Sequence, residues 1–94
     1  MQFFNMNIET YDCTIEVLVN ENLQRNTIRA PREIIEHQFF SLVNQAAKSP
    51  TPVRVGLYRT ERIFSEFEDK HVERLLSIIF ANNLWVSSHE EDFN

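Results

Sequence analysis

The sequence predicts an α+β fold: a two-layer sandwich in the order ββαβα, whose three-stranded, mostly antiparallel sheet carries two helices on one face. Two kinds of spacing lead there. In Tyr11 to Val19 the odd positions (Tyr11, Cys13, Ile15, Val17, Val19) are all apolar, and the even ones are Asp12, Thr14, Glu16 and, as the exception, Leu18. A period of two marks a strand with one face in a core and the other in water. Farther along, two segments repeat apolar residues at intervals of three and four, the spacing of a helix with one buried stripe.

After Val19, Asn20-Glu21-Asn22 suits a hairpin loop because asparagine tolerates φ > 0, and Thr27 to Ala30 reads as a short returning strand. Pro31 suits the first position of a helix. From Arg32 to about Lys48, Ile35, Phe39, Leu42, Val43 and Ala46 form one stripe with Ile34 and Phe40 on its flanks, and Ser49-Pro50-Thr51-Pro52 ends it. Val53, Val55 and Leu57 then alternate with Arg54, Gly56 and Tyr58 in a third strand that either runs on through Ile63 or breaks near Thr60. Gly56, the only glycine, marks a bulge or a close backbone approach.

Ser65 followed by Glu68 fits a capping box, and Val72, Leu75, Leu76, Ile79 and Phe80 make the stripe of a second helix ending near Asn82 or Asn83. Leu84-Trp85-Val86 is either a short strand or a plug over that helix end. A crossover through the first helix sets the third strand parallel to the second, and placing it beside the first makes the first strand central with antiparallel neighbours.

Ninety-four residues make one domain, 1–94, with an ordered core over about 8–86 and a polar acidic tail over 87–94. The lone Cys13 leaves no internal disulfide and no cysteine-rich zinc site, which makes the cytoplasm the expected compartment. MQFFNMNIET has neither a basic region nor a long apolar run, so no signal peptide is expected, and no segment approaches the ~20 apolar residues of a membrane span. Nine basic against fourteen acidic residues, a net charge of −5, disfavour non-specific binding to nucleic acid or anionic lipid.

Catalytic and metal signatures are wanting. A nucleophilic Cys13 needs a neighbouring base, and its place in the apolar phase of its strand points to a buried small hydrophobe instead. His37 and His71 fall off the apolar stripes, His89 lies in the tail, and Glu33-Ile34-Ile35-Glu36-His37 lacks the paired histidines of HExxH. A single glycine excludes glycine-rich phosphate loops. The expectation is a protein without enzymatic activity, cofactor or metal.

The surface offers more. Arg32, a cation in the first turn of a helix, opposes the helix dipole, a broken local rule that marks a functional position unless Glu36 one turn later simply pairs with it. Phe40 is hard to bury at the stripe's edge, as are Phe3 and Phe4, whereas Phe39, Phe64, Phe67 and Phe80 fit a core. Arg54 and Tyr58 open the third strand. Aromatic and arginine anchors within a charged rim are what protein interfaces favour. The sequence therefore points to a small acidic protein-binding module of inhibitor, immunity or adaptor type, of the kind phages and mobile elements encode, with Arg32, Phe40, Arg54 and Tyr58 touching the partner. The alternatives are a structural homo-oligomer, such as a homodimer, and, less favoured, a nucleic-acid binder using Arg25, Arg29, Arg32, Arg54 and Arg59 with Tyr58 as a stacking residue. Parallel flanking strands set Arg32 and Arg54 at opposite ends of the sheet, so two contact regions are expected rather than one patch.

Overall fold

A computed structural model describes residues 8–91. The chain runs β1 (Tyr11–Val19), β2 (Asn22–Ala30), α1 (Arg32–Ala46), β3 (Val53–Phe64), β4 (Asp69–Ala81) and β5 (Val86–Glu90). All neighbouring strands are antiparallel, in the order β2-β1-β3-β4-β5, and α1 packs against one face. The expected fold is thereby corrected: among the described residues the sheet has five strands rather than three, and there is one helix rather than two. β1 does lie between β2 and β3.

The β1–β2 hairpin turns on Asn20 and Glu21, with Asn20 in the left-handed region at φ 55°, and pairs without interruption from Val19↔Asn22 to Tyr11↔Ala30. β2 is therefore longer than its apolar end at Thr27–Ala30 indicated. Pro31 precedes α1 as its N-cap in extended conformation, and its carbonyl accepts from the Ile34 and Ile35 N–H groups. Ile35, Phe39 and Ala46 of α1 are buried against Cys13 and Ile15 of β1, Val53, Val55 and Leu57 of β3, and Leu76, Ile79 and Ala81 of β4.

β4 stands where the second helix was expected, and a bulge explains the misleading pattern. The β3–β4 register slips between Leu57 and Tyr58: Leu57 faces Ser77, whereas Tyr58 faces Leu75. The extra residue, Leu76, is buried together with Ser77. Side chains switch phase there, so apolar residues on the helix-covered face fall at Val72, Leu76, Ile79 and Ala81, and those on the open face at Leu75, Ile78 and Phe80. A bulged strand apolar on both faces thus reproduces the three- and four-residue intervals of a helix. The Ser65–Glu68 cap forms a turn instead: Ser65 Oγ accepts from the Phe67 and Glu68 N–H groups at 3.4 and 3.1 Å, closing the loop that joins Phe64 to Asp69.

Two further expectations change. Phe39 is buried, but Phe64, Phe67 and Phe80 are exposed rather than core. Residues 87–90, assigned to the tail, pair with β4 as part of β5, where Ser88 faces Ile79 and His89 faces Ile78. Phe3, Phe4 and Phe93 lie outside the described residues. No helix is long and apolar enough to cross a membrane among the described residues.

Candidate functional site

Three surfaces of the sheet carry groups that its own packing does not require. On the open face, opposite α1, the register brings Arg25 of β2, Glu16 of β1 and Gly56 of β3 into one row. Glu16 is nearly buried there. Its carboxylate accepts from Arg25 Nε at 2.9 Å and Arg54 Nη2 at 2.7 Å, while Arg25 reaches on to Glu73 of β4. Gly56 accommodates the Tyr58 ring: a Cβ there would meet Tyr58 Cε2 at 3.0 Å, and the Arg25 guanidinium lies 5.9 Å from the ring centroid. Paired charges and a stacked aromatic ring cover the middle of this face, which is how Thr14 and Glu16 come to be buried without a second layer.

On the helix-covered face α1 leaves the β4–β5 side uncovered, and a cleft of about 240 Å³ opens between the first half of α1 and the bulge. Phe39, Phe40, Leu57 and Leu76 form its apolar wall. Arg32 lies at its edge, paired to Glu36 at 2.7 Å, which gives the first-turn cation a local partner and relieves its conflict with the helix dipole. The third surface is the outer half of the β3–β4 hairpin. Beyond Thr60 the ladder continues where α1 no longer covers it, and the tip carries Ile63, Phe64 and Phe67, which are 43, 74 and 91% exposed. Ion pairs brace it: Arg62 to Asp69 at 2.6 Å and Lys70 to Glu68 at 3.3 Å, both exposed, and the half-buried Arg74 to Glu61 at 2.8 Å. The two hydrogen bonds from Arg62 hold the Asp69 carboxyl below its ordinary value.

The four residues singled out from the sequence fall into two pairs. Arg32 and Phe40 line the cleft, whereas Arg54 and Tyr58 sit on the opposite, open face. Arg32 and Arg54 also lie toward opposite ends of β1, the one following Ala30 opposite Tyr11 and the other opposite Leu18, so they belong to separate surfaces. Sequence reasoning missed Glu16, Ser77, Glu90 and the hairpin tip. Glu16 had a signal, a carboxylate in the middle of the strand that the alternation made central; the tip had none while 69–81 read as a helix.

Cys13 is 1% exposed, and burial pushes its thiol up against the opposing pull of Arg59, so it stays protonated and enclosed at neutral pH. His37 and His71 are exposed, and His71 lies on β4 rather than on a helix. Among the described residues no group of three or more His, Cys, Asp or Glu side chains is placed to hold a metal ion. Compared with protein families, with characterised proteins and with solved structures, the chain matches none.

Proposed function

We propose that this chain is a protein-binding module that presents the tip of the β3–β4 hairpin to its partner and works by surface complementarity. One observation carries the reading: Phe64 and Phe67 stand 74 and 91% exposed beside Ile63 at the end of a ladder braced by ion pairs. Aromatic side chains are the commonest strong anchors of protein interfaces, and a hairpin already ordered by its ladder avoids part of the cost of ordering a loop on binding. The arginines support protein over nucleic acid as the partner. Arg25, Arg29, Arg32, Arg54 and Arg62 each face a carboxylate, so phosphates would have to displace those pairs. A single buried thiol suits a reducing compartment such as the cytoplasm.

The test compares wild type with the double variant Phe64→Ser/Phe67→Ser as baits for proteins of the native host. Under this reading a defined partner is retained by wild type and lost by the variant, while the two melt alike. Equal retention by both baits, or no specific retention by wild type, overturns it.

A second reading is self-association through the open sheet face. It is favoured by that face's in-place charge pairing of Asp12 with Arg29, Glu16 with Arg25 and Arg54, and Arg25 with Glu73, which would let two copies of a chain of charge −5 meet without opposed free charges. Light scattering over a concentration series separates it from the first, which expects a monomer.

A further inference from the structure

We propose that the cleft between α1 and the β4–β5 side takes a basic side chain of the partner, lysine or arginine, with Glu90 and Ser77 as its acceptors; this deepens the protein-binding reading and rests on it. The bulge at Leu76 is the starting point. It turns Leu76 and Ser77 together toward the helix side, and the Leu76 carbonyl accepts the Glu91 N–H at 2.6 Å, fixing the end of β5 over the cleft. Ser77 is 7% exposed, and its Oγ is the one buried side-chain polar atom among the described residues that has no hydrogen-bond partner. A hydroxyl withdrawn from water without a partner is unfavourable, and such an atom facing a cleft is one that a ligand would satisfy.

Directly opposite Ser77 in the β4–β5 register stands Glu90, so the two side chains leave the sheet on the same face within ~5 Å of each other at Cβ. Among the described residues the Glu90 carboxylate makes no side-chain hydrogen bond or ion pair. The other carboxylates at the cleft are engaged: Glu36 holds Arg32 Nε at 2.7 Å, and Glu91 holds His89 Nε2 at 2.8 Å. Two idle acceptors, one of them charged, call for a cationic donor. Three carboxylates against one guanidinium give the lining a negative balance that would repel an anion. The wall of Phe39, Phe40, Leu57 and Leu76 suits the methylene stem of such a side chain, which buries its carbons while its head stays on polar groups. Ser77 Oγ accepts at the floor and Glu90 at the rim.

The experiment needs no partner, so it separates this inference from the reading beneath it. Uniformly 15N-labelled full chain is titrated with N-acetyl-lysine methylamide, its arginine counterpart and, as the neutral control, N-acetyl-norleucine methylamide. The expected result is saturable shifts of the Ser77, Glu90 and Phe40 amides with the basic probes only, weakened by salt and weakened about tenfold in Glu90→Gln, as loss of a charged hydrogen bond implies. Ser77→Ala should weaken it further while leaving the spectrum otherwise native. Absence of saturable shifts, equal shifts with norleucine, or full binding by Glu90→Gln overturns the inference. If the partner is lost by the hairpin-tip variant yet held at full affinity by Glu90→Gln, the module reading stands and the cleft assignment falls.

Discussion

At the base of the β3–β4 hairpin Val53, Val55 and Leu57 pair with Ala81, Ile79 and Ser77, and each of the six is less than a tenth exposed beneath α1; at its tip Ile63, Phe64 and Phe67 are 43 to 91% exposed. Backbone pairing is the same at both ends. What differs is the second layer: the base is held by apolar burial against a helix, the tip only by its ladder and by ion pairs that solvent screens. Apolar residues at the base account for the fold, whereas those at the tip contribute little to it, and the proposed binding role rests on that imbalance.

The largest test of this contrast is Phe39→Ala. The ring is 2% exposed over the base, and its loss should cost about 3–5 kcal/mol in urea unfolding, with no effect specific to the tip. Comparable destabilisation from Phe67→Ala would break the contrast outright. Next comes Glu16→Gln, which takes the shared carboxylate from Arg25 and Arg54 at a site only 10% exposed; about 1–3 kcal/mol is expected, and a double-mutant cycle with Arg54→Met should show that most of it is coupling. A small effect there would place the open face with the tip rather than with the base.

Phe64→Ser/Phe67→Ser should change stability by no more than about 0.5 kcal/mol, read as an unshifted urea midpoint. The finest probe is pH. Arg62 lowers the folded pKa of Asp69, so the pair's contribution is complete above the carboxyl's ordinary value and is lost as pH falls through the folded one. Protection factors of the tip amides, which allow for the slower intrinsic exchange in acid, should therefore fall below about pH 4 while the base amides of Val55 and Leu57 keep theirs. Loss of protection at both ends together would mean that the hairpin opens as one unit.

Much of the fold was legible because it was local. The alternation from Tyr11 to Val19, the asparagine turn and the stripe from Ile35 to Ala46 each follow from a period within one element, and β1, the β1–β2 hairpin and α1 formed accordingly. β4 was not legible because its interval pattern is the product of a bulge, and a bulge is defined by what the neighbouring strand does. The same cause hid the candidate cleft. Ser77 sits in the apolar run Leu75-Leu76-Ser77-Ile78-Ile79, and nothing in that run says which face it takes until Leu57 is set opposite it.

By itself the chain determined the burial of Cys13 and Ile15, the helix over 32–46 and the exposure of Phe40, since each depends on the order of residues within one segment. Tertiary structure decided that 69–81 is a strand, that Arg32 and Arg54 serve opposite faces, and that Phe64 and Phe67 lie beyond the helix's reach. The physical reason is reach: one helix of 15 residues covers the middle of the sheet but not the whole of a 12-residue strand pairing with one of 13, so the chemistry of the outer residues is set by what lies above them.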